Sequence, residues 1–178
     1  GGGGGYARGE YPVTAGSSYT IIVGQAGGGV SPVNLGGNVW KSPATFGGGG
    51  QGGSIVNISS LAAKRGTSNN SAYVATKFGI AGLTQSLCKE LGHRGIRVNA
   101  VCPVLVETEG LINALNEEHS PANGNSLEFL KSFSQSQVPL LRLPTAQEVA
   151  NLVRFLISDD ASGISGQSIN VDCGVLPN

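Results

Sequence analysis

Charge is scarce in this chain. Of its 178 residues only 12% are Asp, Glu, Lys or Arg, and the formal net charge is zero. No electrostatic footprint therefore speaks for nucleic acid or for an anionic membrane surface as partner. Long apolar runs are missing too: stretches such as Ile21-Ile22-Val23 are far too short to cross a bilayer. No basic n-region or signal-peptide pattern opens the chain. Methionine is absent altogether, position 1 included, which reads as a processed or truncated product, or a segment of something longer. The two histidines cannot build a metal site. His93 falls at the end of an expected helix, where a partial positive charge suits the dipole, and His119 falls in a polar loop. Three cysteines, Cys88, Cys102 and Cys173, share no CxxC spacing. An odd count suits a reducing compartment better than a disulfide framework, and Cys in apolar surroundings acts as a small hydrophobe. The expected location is cytoplasmic.

Glycine is what the chain has in excess, and its distribution is uneven. Residues 1–53 hold 19 of the 29 glycines and only three charged residues, Arg8, Glu10 and Lys41. Such density excludes stable helix, because each Gly costs roughly 1 kcal/mol relative to Ala in a helix interior. Within this region Tyr11–Thr14, a turn over residues 15–18 and Tyr19–Val23 read as a β-hairpin. A glycine-rich tract can serve as a flexible linker; the aromatic and β-branched insertions argue for more order. The stretch GGGGGYARGEYPVTAGSSYTIIVGQAGGG resembles glycine-rich modules of bacteriophage tail fibres and adhesins. That resemblance covers about fifty residues and implies an alternative location, a virion tail or the cell exterior.

From residue 54 the pattern changes to α/β. Residues 54–58 form a short apolar strand without alternation, as a sheet covered on both faces requires. Residues 71–92 carry a long helical pattern, with Ser71 as N-cap and Gly92 or Gly95 as stop. Residues 96–102 are a second buried strand, ended by Pro103. Residues 109–136 are polar, with two weak helical patches. Thr145 caps a helix at 146–157, and residues 167–172 form a last strand. This alternation predicts a partial Rossmann-like parallel sheet with flanking helices, preceded by the glycine-rich β/irregular segment. The expected division is a glycine-rich module at 1–53 and an α/β domain at 54–178.

Tyr73 and Lys77 are four apart on the long helix and share one face. A free tyrosine, with a pKa near 10, is a poor base at neutral pH; a neighbouring ammonium favours the phenolate. The hydroxyl can then exchange a proton with an alcohol or carbonyl oxygen. Ser60, thirteen residues before the tyrosine and at a strand's C-terminal end, can hydrogen-bond the same oxygen. A lone Tyr-x-x-x-Lys would mean little. Four blocks stand in register, however: GGSIVNISS (52–60), SAYVATKFGIAGLTQSL (71–87), GIRVNAVCPVLVET (95–108) and SGISGQSINVDCG (162–174).

Together these blocks resemble the C-terminal catalytic part of the short-chain dehydrogenase/reductase family. The resemblance implies an NAD- or NADP-dependent oxidoreductase acting on a small polar secondary alcohol or ketone. Ser60 would position the oxygen, Tyr73 would be the acid/base, and Lys77 would tune it and bind the nicotinamide ribose. It further implies cofactor contacts at Pro103, Val106 and Thr108, a substrate lid over 109–136, and homo-oligomers formed through the long helix and the final helix–strand unit. Two positions depart from the family pattern: Val104 and Cys173 stand where it has glycine. The family's Thr-Gly-x-x-x-Gly-x-Gly phosphate turn, its Asn-Asn-Ala-Gly block and the helix asparagine of its proton relay are not found in the sequence. The strand 54–58 should then pair with another chain, with a missing N-terminal half, or with the glycine-rich region. Nicotinamide binding should be poor. The competing expectation is a structural or adhesive protein in which the dehydrogenase-like part is an assembly surface. A fragment, a natural fusion and an artificial join all remain open at the level of sequence.

Overall fold

Two central strands are buried along most of their length, which is why neither alternates in sequence. The structure, a computed structural model, describes residues 19–23 and 53–177. Its four strands are β1 (Tyr19–Val23), β2 (Ser54–Ile58), β3 (Arg97–Pro103) and β4 (Ser168–Val171). They lie in that spatial order, and every neighbouring pair is parallel. Register is set by Ser54 opposite Arg97 and Ile58 opposite Val101, then by Ala100 opposite Ser168 and Pro103 opposite Val171.

The connections are helical, as parallel strands require. Helix α1 (Ser71–Leu91) leads from β2 to β3, while α2 (Glu109–Leu115), α3 (Ser126–Gln137) and α4 (Ala146–Ile157) lie between β3 and β4. Side chains alternate across a strand, so the two sheet faces separate cleanly. Val56, Ile58, Val101, Ile169 and Val171 pack with Val153, Leu156 and Ala161 on the α4 face. Asn57 bonds to α1 on the other face. A second core joins Leu115, Leu130, Val138 and Leu143 under the α2–α3 segment.

Helix boundaries follow local chemistry. Thr145 and Glu148 form a reciprocal capping box at the start of α4. The side chain of Asn125 accepts from Glu128 N at the start of α3. The expected cap of α1 is displaced by one residue: Asn70 takes the N-cap position without a side-chain bond, and Ser71 is the first helical residue. Its stop uses both expected glycines, a 3-10 turn over Gly92–Arg94 followed by Gly95 at φ 70°.

The strand expected at 19–23 is present, and it runs parallel beside β2, with Tyr19 opposite Ser54 and Val23 opposite Ile58. The other arm of the expected hairpin, Tyr11–Thr14, lies outside the described residues. Pairing with the glycine-rich region was one of three ways to cover the β2 edge, and it is the one observed.

Candidate active site

β2 and β3 both deliver their C-terminal ends to the same edge of the sheet, the edge where open α/β sheets take ligands. After β2 come Ser59 and Ser60, whose hydroxyl caps a 3-10 turn, Leu61–Ala63, by accepting from Ala62 N at 3.1 Å. That bond uses a lone pair and leaves the Ser60 O–H free to donate. After Pro103, the last residue of β3, the chain runs through half-buried Val104–Val106 to Thr108, whose Oγ1 caps α2 by accepting from Leu111 N at 3.2 Å.

Helix α1 packs against the turn that Ser60 caps and brings Tyr73 and Lys77 to that edge. Lys77 is 5% exposed, a rare position for an ammonium. Its Nζ lies 5.5 Å from the Tyr73 ring centroid and donates to the carbonyl of Ile58, 3.2 Å away at the end of β2. Burial pulls the Lys77 pKa below its ordinary value, and neighbouring Cys102 opposes that pull. Cys102 is fully buried. Burial raises its thiol pKa, offset in part by Lys64, by hydrogen bonds from the Ser59 side chain and Ser60 backbone, and by Lys77.

Tyr73 and Lys77 thus meet, and Ser60 stands on the adjoining turn. A family model described as enoyl-(acyl carrier protein) reductase matches residues 44–176. The chain belongs to the short-chain dehydrogenase/reductase family.

Two relatives place it within that family. It is 41% identical over 122 residues to a short-chain dehydrogenase/reductase of Botryotinia fuckeliana, covering 68% of this chain and 45% of that protein. It is 40% identical over 123 residues to a 3-oxoacyl-[acyl-carrier-protein] reductase of Staphylococcus aureus, covering 69% and 45%. The crystal structure of carveol dehydrogenase from Mycobacterium avium in complex with NAD superposes with a TM-score of 0.64 at 33% identity, covering 70% of this chain and 46% of that one. The chain spans about half the length of the curated relatives it matches. Nothing in these comparisons supports the tail-fibre or adhesive likeness of the glycine-rich residues. No helix among the described residues is long and apolar enough to cross a membrane.

The two departures from the short-chain dehydrogenase pattern differ in consequence. Cys173 sits at φ 53°, in the left-handed region that glycine adopts without strain. Val104 carries no such backbone; its amide donates to Val171 O at 3.2 Å, so the change there adds side-chain bulk alone. Sequence reasoning missed the polar contacts that anchor Lys77 and its helix. Ser59 Oγ donates to the Lys77 carbonyl at 3.1 Å, and Asn57 Nδ2 donates to Thr84 Oγ1 at 2.9 Å. The sequence signal was there in NIS: polar residues at alternate positions of a strand otherwise buried.

Proposed function

We propose that residues 54–178 are the catalytic part of an NAD(P)-dependent oxidoreductase that interconverts a ketone and a secondary alcohol. The observation that carries this reading is the buried Lys77 ammonium, held over the Tyr73 ring at the end of β2. Burying a charge is costly, and an apolar residue would serve packing better. A functional task explains why the charge stays.

Tyr73 gives its phenolic proton to the substrate oxygen in reduction and takes it back in oxidation. Ser60 donates its free O–H to the same oxygen and fixes its position. Lys77 holds its ammonium 5.5 Å from the centre of the ring whose hydroxyl exchanges the proton. A nicotinamide, when bound, supplies or accepts the hydride. The inner end of the site fits such a group: an ammonium has three N–H donors, and among the described residues the Ile58 carbonyl accepts from one of them. The remaining donors suit a ribose hydroxyl, and Pro103, Val106 and Thr108 are the further cofactor contacts that the family resemblance implies. The outer end does not fit, because these 178 residues contain no Thr-Gly-x-x-x-Gly-x-Gly turn to receive the pyrophosphate. The chain by itself should therefore bind NAD(H) or NADP(H) weakly, and micromolar affinity by calorimetry would contradict this.

The Staphylococcus aureus relative makes a 3-oxoacyl thioester the first substrate to test. The experiment incubates the chain with millimolar NADPH or NADH and such a thioester, and follows the hydroxyacyl product by mass spectrometry. Product above the no-enzyme control supports the reading; none at stoichiometric amounts of protein overturns it. Self-association belongs to the same reading. Phe78 and Leu83 on α1 and Phe155 on α4 are large apolar side chains left 46%, 36% and 40% exposed, and a second copy would cover them.

A further inference from the structure

Four buried polar residues line the seam between β2 and α1: Asn57, Ser59, Lys77 and Thr84, none more than 5% exposed. Such a seam is cheapest when apolar, and each polar group in it must find a partner. These do. Ser59 Oγ donates to the Lys77 carbonyl at 3.1 Å. The neighbouring Ile58 carbonyl accepts from Lys77 Nζ at 3.2 Å. Two residues earlier on the strand, Asn57 bonds to Thr84 at 2.9 Å, and Thr84 in turn donates to Ile80 O at 2.8 Å. Thr84 is two helical turns beyond Lys77 and so on the same face. The strand therefore grips the helix at two heights, through atoms with directional bonds.

We infer that Ser59 is a positioning residue: its hydroxyl and the Ile58 carbonyl hold Lys77 at both ends and set the height of α1 along β2. Tyr73, one turn before Lys77, takes its place at the strand end from that height. The Asn57–Thr84 bond is a second pin that fixes the tilt. This inference rests on the reading of Tyr73 and Lys77 as the catalytic pair. The Ser59 hydroxyl touches neither substrate nor cofactor in it; it acts on the site through the Lys77 carbonyl.

The test replaces Ser59 with two side chains of one shape, Ser59→Thr and Ser59→Val, which differ by the hydroxyl. The readout is the ¹⁵N-labelled Lys77 ammonium, observed by its resonance and by proton exchange with water in the full chain. Ser59→Thr should retain the wild-type resonance and exchange rate. Ser59→Val should move the resonance and speed exchange about fivefold or more, because the unpinned helix draws Nζ off the Ile58 carbonyl and that one hydrogen bond is lost. Identical spectra for the two variants would overturn the inference. If neither β-branched side chain is accommodated, Ser59→Ala decides it in the same way, with a wild-type spectrum overturning the inference. In the ketone-reduction assay Ser59→Val should lower kcat with KM held, and Ser59→Thr should restore it. Failure of the wild type to reduce any ketone would instead remove the catalytic reading, and the Lys77 spectrum would still decide whether Ser59 holds the helix.

Discussion

Arg97, the first residue of β3, reaches the last turn of α4 and donates through Nη1 to the carbonyl of Leu156 at 2.6 Å. Its Nη2 donates to Ser158 O at 2.9 Å. One guanidinium thus satisfies two carbonyls that the end of a helix leaves without intrahelical partners, and its charge suits the helix dipole there. Arg97→Ala should lower stability by about 3 kcal/mol, as loss of charged hydrogen bonds does. Arg97→Lys should recover only part of that, because an ammonium lacks the fork. Urea midpoints for the two variants check this, and equal midpoints for Ala and wild type would refute it.

Adjacent residues at 173 and 174 should respond in opposite directions. Cys173 is held at φ 53°, so Cys173→Gly relieves strain of about 1 kcal/mol. Its side chain packs on the second core, which limits the gain. Gly174 is at φ 94°, and a Cβ there would lie 3.1 Å from Pro139 Cγ. Gly174→Ala should therefore cost about 2 kcal/mol. Thermal unfolding should place Cys173→Gly at or above wild type and Gly174→Ala below it.

Lys77 gives a pH signature. Burial depresses its folded pKa below 10.5, the unfolded value. Between those two values the unfolded chain binds more protons than the folded one, so stability rises with pH across that window. Below it, the buried charge is a standing cost. Lys77→Met should flatten the alkaline slope and leave the neutral-pH midpoint equal or higher, while abolishing turnover. A variant more stable and inactive marks a residue kept for chemistry. A large loss of stability would mark Lys77 as structural.

The Arg142–Glu148 pair gives a slope of the same sign at the acid end of the scale, but there the charged form stabilises the fold. A hydrogen bond from Arg142, followed by one from the Thr145 backbone, lowers the Glu148 pKa from 4.5 to about 2. Its contribution is present above the unfolded value and fades as pH falls toward about 2. Both side chains are largely exposed, so water and salt weaken it. Glu148→Gln should remove that acid dependence. Thr145→Ala, which breaks the capping box, should cost about 1 kcal/mol at neutral pH and keep most of the acid dependence, because the Arg142 bond remains. Urea denaturation at several acidic pH values separates the two.

Much of the fold was legible in the sequence because short-range signals decide it. The run Ile55-Val56, the cap Thr145 and the stop Gly95 each act within a few residues. The catalytic candidates were legible for the same reason: Tyr73 and Lys77 are one helical turn apart. What escaped was long-range. Asn57 and Ser59 alternate along a buried strand, yet only the packed helix reveals that Lys77 and Thr84 receive them. The strand at Tyr19–Val23 was readable as a strand, yet its neighbour was not, because β-propensity specifies no partner. The cap of α1 fell on Asn70, where Asn and Ser are near equals as caps.

The most direct measurement is ketone reduction by wild type, Tyr73→Phe and Ser60→Ala under the same millimolar nicotinamide. Phenylalanine keeps the ring over Lys77 and removes only the proton that Tyr73 must give. Wild type should turn over, and Tyr73→Phe should fall by about a hundredfold or more, with Ser60→Ala also impaired. Equal rates for wild type and Tyr73→Phe would contradict the account.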